Sequence, residues 1–307
     1  MRIVRRSTIY TTVTVALVVG GGAGVIGAQA IPWGGWIGIG PAAVILLWGF
    51  RRSVRRWRSA RRPFPDAWRE WLQAHVPLYQ RLDAEATHQF ERDVQFSMEE
   101  YSFEGVQGVT VTDSLRLSVA AGIAVLLHGR PNWELPGSRS VLFYPGRFDD
   151  EYYGGSREAA YDGMAHQQGP IILTAASAEH SWETPNDGDN VVLHELAHLF
   201  DFDNEGADGV PSLVAAESAA EWQALVRTEM KRVRRGASLL RPYAAEAPSE
   251  FFAVAVEVFF EQPEQMASRH EELYRALVAF FHLDPRTGRR TAVPVEGSGE
   301  REAEGAT

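Results

Sequence analysis

Val191-Val-Leu-His-Glu-Leu-Ala-His-Leu-Phe-Asp201 is the stretch around which the rest of the chain has to be built. It reads H-E-x-x-H, with His194 and His198 four residues apart and Glu195 beside the first of them. Residues four apart lie on one face of an α-helix, one turn apart, so both imidazoles can reach a single metal ion. Glu195 then stands beside whatever water that ion binds. Two helical histidines on zinc, with a glutamate to take the proton from water, form the working centre of many metallopeptidases. The surrounding residues Val191, Val192, Leu193, Leu196, Ala197, Leu199 and Phe200 are apolar, so the motif sits on a core helix. Asp189 or Asn190 is placed to cap it.

A catalytic zinc keeps three protein ligands and one open position. Cysteine is absent from all 307 residues, so thiolate ligands, disulfides and cysteine nucleophiles are excluded. No H-x-x-G-x-x-H continuation follows His194, so the third ligand is expected to be a carboxylate from a later segment. The candidates are Glu217, Glu221, Glu246, Glu250, Glu257 and Glu261. Glu250 and Glu257 lie seven apart on one face of the otherwise apolar run Glu250-Phe-Phe-Ala-Val-Ala-Val-Glu-Val-Phe-Phe260. A carboxylate in such a helix needs a partner. Residue physics leaves these two tied. Asp201, three residues past His198 on the same face, is either an orienting partner for an imidazole or a surface acid at the helix end. His128, His166, His180, His270 and His282 read as ordinary loop or surface residues.

Charge divides the chain sharply. The overall balance of −10 comes from 30 basic and 40 acidic residues, yet residues 1–62 hold ten arginines and no acid. The remainder is strongly acidic, which argues against nucleic-acid binding. Between Met1-Arg-Ile-Val-Arg-Arg6 and Arg51-Arg-Ser-Val-Arg-Arg-Trp-Arg-Ser-Ala-Arg-Arg62 lies a run without charge. Its apolar stretches Thr8–Ala28 and Trp33–Phe50 suit a membrane hairpin, with Trp33, Trp36 and Trp48 at the interfaces. Basic clusters at both ends put both ends, and the domain that follows, in the cytosol. The competing reading is a secretory signal cleaved after Ala28-Gln-Ala30. The length of the first stretch, the second stretch and the arginine cluster favour the hairpin.

Periodicity predicts helices over 66–86, 86–100, 114–127, 213–234, 249–261 (capped by Ser249) and 264–281, strands at 140–145 and 169–174, and a short strand or loop at 103–111. Gly169–Thr174 reads as an edge strand able to lay out a peptide. Residues 146–169 read as a loop or ragged hairpin, and 175–189 and 203–211 as loops. The expected architecture is α+β: a mainly helical, zincin-like metallopeptidase domain with a small sheet over 63–284. It is preceded by a transmembrane hairpin over 1–62 and followed by a disordered tail over 285–307.

From about Phe64 to Leu283 the chain resembles the Mlc titration factor A family of zinc-dependent peptidases. The resemblance is carried by N-V-V-x-H-E-x-A-H-x-x-D at Asn190–Asp201, G-V-P at Gly209–Pro211 and Y-A-A-x-x-P-x-E-x-F-A-V at Tyr243–Val254. The catalytic domain of the lethal-factor toxins shows a similar Tyr, seven-residue, Glu-Phe-Phe arrangement. The resemblance implies one zinc per chain on His194, His198 and Glu250, Glu195 as general base, and Tyr243 directed at the reacting carbonyl. It also implies hydrolysis of peptide bonds in a peptide or protein substrate, as an aminopeptidase in the family's manner. The rival implication is a regulatory protein that sequesters a transcriptional repressor at the membrane, with a structural or vestigial zinc site. The hairpin is a departure from the soluble members of that family.

Overall fold

A computed structural model describes the backbone of residues 1–146, 148–149, 160–161, 163–164, 169–201 and 218–291, with side chains for 1–146, 169–200 and 218–291. The uncharged N-terminal run folds as two long helices, α1 (Arg6–Ala30) and α2 (Ile39–Ser59), joined through a 3-10 turn at Gly34–Gly38. Both are long and apolar enough to cross a membrane, and their outward side chains, such as Leu17, Ile26 and Leu47, are exposed. The helices approach through glycine. A Cβ on Gly27 would lie 2.2 Å from the Gly34 carbonyl oxygen, so no larger residue fits that contact.

The last turns of α2 leave the apolar run and pack on the rest of the chain. Ser53, Arg56 and Ser59, spaced three apart, form its buried stripe. Next come α3 (Asp66–His75), α4 (Pro77–Gln80) and α5 (Ala84–Glu100), whose Asp83 cap accepts from the Ala86 N–H at 2.9 Å. Strand β1 (Ser102–Gly105) leads into α6 (Asp113–Leu127), a helix apolar all round and buried from Leu117 to Leu127. Strands β2 (Ser140–Tyr144), β3 (Phe148–Asp149), β4 (Ala160–Tyr161), β5 (Gly163–Met164) and β6 (Ile171–Thr174) follow, β3 pairing with β4. Then come α7 (Ala175–Glu183) and α8 (Val191–Asp201), the H-E-x-x-H helix. The chain continues through α9 (Ala219–Arg234), a 3-10 turn at Pro242–Ala245 and α10 (Pro248–Glu261). Helices α11 (Pro263–Arg269) and α12 (Glu271–Phe281) and the hairpin β7 (Leu283–Asp284) with β8 (Arg289–Arg290) complete the described part.

The result is α+β and mainly helical, with a small sheet. Among the described residues that sheet runs β1–β2–β6–β5, the first three strands parallel and β5 antiparallel to β6. Helix α8 lies between α6 and α10. Gly122 of α6 permits the approach: a Cβ there would sit 2.9 Å from both Leu196 Cδ1 and Val192 Cγ1. From Phe251 to Phe260 every residue of α10 is buried, which places the α8–α10 contact in the centre of the core.

Several expectations are corrected. Gly169–Thr174 is not an edge strand: β6 lies between β2 and β5, all four of its residues are buried, and β5 holds the edge. The segment 175–189 is not all loop, because Thr174 caps α7 through Ser177 N–H at 3.0 Å. The expected helix over 264–281 breaks at His270 into α11 and α12, and α10 starts on Pro248 with Ala247, not Ser249, at its cap position. Residues 283–290 form a β-hairpin instead of the start of a loose tail. His128 is 0% exposed and His270 2%, so neither is a surface residue. His270 Nδ1 is 2.6 Å from Glu229, and its Nε2 accepts from Leu239 N–H at 3.0 Å. His180 is exposed, on helix α7. The readings of His166, Gly209–Pro211, Glu217 and the Asp201 side chain lie outside the described residues.

Candidate metal centre

Helix α8 is fixed at its start by Asn190. The Asn190 Oδ1 accepts from Leu193 N–H at 2.9 Å, a helix cap, while its amide nitrogen donates to the Ser181 carbonyl (2.8 Å) and to Glu261 (3.1 Å). Because the apolar face of α8 is sunk in the core, the i, i+4 pair His194 and His198 is held on the face turned to α10. The two rings meet edge to face, 4.8 Å between centroids, with their Nε2 atoms 3.2 Å apart.

Glu250, in the first turn of α10, brings its Oε2 within 3.1 Å of His194 Nε2 and 3.6 Å of His198 Nε2. One nitrogen from each histidine and a carboxylate oxygen can hold a metal ion together. Tetrahedral zinc with bonds of about 2.0–2.1 Å separates its ligand atoms by about 3.3 Å. Separations of 3.1, 3.2 and 3.6 Å therefore outline one face of such a tetrahedron. Among the other described candidates, Glu221 and Glu246 are exposed, and Glu261 is spent on Asn186 N–H (2.6 Å) and Asn190.

Glu257, level in sequence terms with Glu250, takes a different position. It is 0% exposed, and its Oε1 lies 2.7 Å from His194 Nδ1, on the far side of the ring from Glu250. Its other partners are the Asn190 N–H (2.6 Å) and Arg241, whose two terminal nitrogens donate to its two oxygens at 2.9 and 2.7 Å. A carboxylate on Nδ1 keeps that nitrogen protonated and presents Nε2 as a lone pair. Arg241 also reaches Asp189 at 2.9 Å. Arg241 escaped the sequence reading. Its one trace there is the pattern Arg-Pro-Tyr, two residues ahead of Tyr243 in the 3-10 turn.

The electrostatics fit a cation. Among the described residues, Glu195, Glu250 and Glu257 converge on the histidines, against the guanidinium of Arg241. Burial works against a charged imidazole, yet hydrogen bonding to Glu250 and Glu257 pushes His194 up to about 10. Burial likewise resists ionisation of Glu250, but the two histidines hold it well below the usual carboxylate range. Glu195 is 6% exposed, and burial raises its pKa. Tyr243 is half-buried, its ring 5.9 Å from that of His194. Burial, the nearby Glu250 charge and a hydrogen bond to Glu250 raise its pKa, so the hydroxyl keeps its proton.

Residues 50–282 match the family described as glucose-regulated metallo-peptidase M90. The chain is 30% identical to Mlc titration factor A of Yersinia enterocolitica over 245 residues, 74% of this chain and 90% of the relative. It is 29% identical to Mlc titration factor A of Klebsiella pneumoniae over 238 residues, 72% of this chain and 88% of the relative. A Synechocystis sp. protein, slr2042, is 27% identical over 270 residues, 80% of this chain and 98% of its own length.

Proposed function

The chain belongs to the glucose-regulated metallo-peptidase M90 family, and from that premise we propose that it is a zinc-dependent peptidase held at a membrane by its N-terminal hairpin. The observation that carries the reading is the convergence of His194 Nε2, His198 Nε2 and Glu250 Oε2 at tetrahedral spacing beside the buried Glu195. These three side chains hold the ion. Zinc there supplies Lewis acidity, polarising a carbonyl and bringing water within reach of a carboxylate base. Glu195 accepts the proton of the attacking water and passes it to the leaving amine. Its burial raises the proton affinity of the carboxylate, which suits the accepting half of that transfer. Tyr243 donates a hydrogen bond to the oxyanion that develops on the substrate. Glu257 keeps the His194 ring turned so that Nε2 faces Glu250 and His198.

The membrane assignment rests on both ends of the hairpin. Arg5 at the start of α1 and Arg52 near the end of α2 both pair with Glu134, at 3.4 and 2.8 Å. Both ends therefore lie on the domain's side, and the basic flanks put that side in the cytosol. The domain is taken to run from 63 through the hairpin that closes at Arg290, past the expected bound of 284, with a tail beyond.

The test is the variant Glu195→Gln in the full chain. It is expected to keep its zinc and lose peptide hydrolysis; cleavage at the parent rate would overturn the mechanism. A second reading has support in the relatives' name, Mlc titration factor A: a protein that captures a transcriptional regulator. Capture of a regulator that survives Glu195→Gln and chelation, with no hydrolysis by the parent, would favour it.

A further inference from the structure

At the base of the hairpin, where α1 and α2 leave the apolar run and meet the domain, lies a cavity of about 400 Å³. Arg5, Arg51, Arg52 and Arg56 line it, with one carboxylate, Glu134. Glu100, behind it, takes Arg52 at 2.6 Å and Arg56 at 2.5 and 2.9 Å. Four lining guanidiniums thus face two carboxylates, and Glu134 also takes Arg139 from outside the cavity at 2.9 Å, which leaves positive charge in surplus. Among the described residues Arg51 bonds the Trp48 carbonyl of its own helix (3.1 Å) and stacks 4.1 Å from the Trp48 ring centroid. Arg52 Nε is buried and finds no hydrogen-bond partner among the described residues.

Another part of the lining is the first two turns of α1, with the hydroxyls of Ser7, Thr8 and Thr11. No side chain caps this helix, and its first backbone bond runs from Ile9 N–H to Arg5 carbonyl at 3.2 Å. The Arg6, Ser7 and Thr8 N–H groups have no carbonyl within the helix, and the dipole of a 25-residue helix ends there. Surplus guanidiniums, hydroxyls and an uncapped helix start together make an anion site, with a phosphate geometry of several short donors around one group.

The location names the source of that phosphate. Helix α1 is about 37 Å long at about 1.5 Å per residue, against about 30 Å of bilayer hydrocarbon, so its first turn stands among the headgroups. The exposed flank of α2 beside the cavity, Val44 and Leu47, offers an apolar track for acyl chains. We propose that this cavity binds the phosphodiester headgroup of an anionic phospholipid. Four arginines disfavour the quaternary ammonium of a zwitterionic headgroup. The bound lipid would tie the base of the hairpin to the domain through Arg52 and Arg56, which touch both. This inference rests on the membrane reading of the hairpin.

The full chain is incorporated into nanodiscs of phosphatidylcholine, with or without phosphatidylglycerol, and released for native mass spectrometry; inorganic phosphate is added in a parallel series. The expected result is incorporation in both discs and retention of phosphatidylglycerol, not phosphatidylcholine, displaced by phosphate only at large excess. Arg51→Gln, which breaks no ion pair of the fold, should weaken retention by about tenfold or more, as for one charge-assisted hydrogen bond. Thr11→Val, at an exposed hydroxyl, should weaken it less, and Arg58→Gln, exposed and outside the cavity, should leave it unchanged. Equal retention of both lipids, equal loss in Arg51→Gln and Arg58→Gln, or occupation by free phosphate with no lipid preference would overturn the inference while leaving the membrane reading intact. Failure to enter either disc would overturn both.

Discussion

Two regions of this molecule gather acids and bases, one buried and one partly exposed, and they are charged in opposite senses. Between α8 and α10, Glu195, Glu250 and Glu257 stand against one guanidinium, Arg241. At the base of the hairpin, four arginines stand against Glu100 and Glu134. A group out of water needs its charge answered nearby, since the cost of leaving it alone is several kcal/mol. The first region is therefore short of a cation and the second of an anion. In both, the protein's own ion pair does structural work and the unanswered remainder faces an opening. The lesson is that the balance of a buried cluster, more than its membership, indicates what it binds.

If the acidic cluster is completed by zinc, Glu250→Ala should abolish stoichiometric binding, read by elemental analysis of the purified chain. Next in size is Tyr243→Phe, which removes one donor to the oxyanion: kcat should fall by about 10²–10³ with zinc retained. An unchanged kcat would make Tyr243 a packing residue. Glu257→Gln should weaken zinc binding by about 10–100-fold, measured against a competing chelator, because the His194 ring loses its orienting carboxylate. Affinity equal to the parent's would reduce Glu257 to a partner of Arg241 alone. The smallest effect concerns the basic cluster. Burial resists the ionisation of Glu100, but Arg56 and Arg52 outweigh it and hold the group down to about 2. A carboxylate depressed on folding stabilises above its unfolded pKa of about 4.3 and loses that contribution as pH falls through the folded value. Thermal unfolding of the full chain should thus show no loss from this pair between neutrality and about pH 5, and a decline from about pH 4.3 towards 2. A loss centred near pH 6 would contradict it.

How much of this was legible in the sequence depends on the range of the interaction. His194, Glu195 and His198 are three residues within five positions of one helix, so spacing alone declares them. The Asn190 cap is local too, and the sequence narrowed it to two neighbours. Glu250 and Glu257 could not be separated, because a seven-residue interval puts both on one face of α10. Only the angle at which α10 crosses α8 sends the first to the Nε2 side of His194 and the second to its Nδ1 side. His270 reads as a surface residue until Glu229, 41 positions away, is found against it. The same holds for the arginines. Their distribution along the chain reports on the membrane, whereas the engagement of Arg52 and Arg56 by Glu100 and Glu134 is tertiary and invisible to composition. Strand β6 misled because its edge partner β5, which pairs over two residues among those described, is too short for a periodic signal.

The central claim, that the carboxylate excess between α8 and α10 is answered by zinc on two histidines and a glutamate, is tested most directly by zinc X-ray absorption on the full chain. The account expects two imidazole nitrogens at about 2.0–2.1 Å and oxygen ligands at about 2.0–2.2 Å, with the imidazole signal lost in His198→Ala. A spectrum with no imidazole scattering, or one that His198→Ala leaves unchanged, would contradict it.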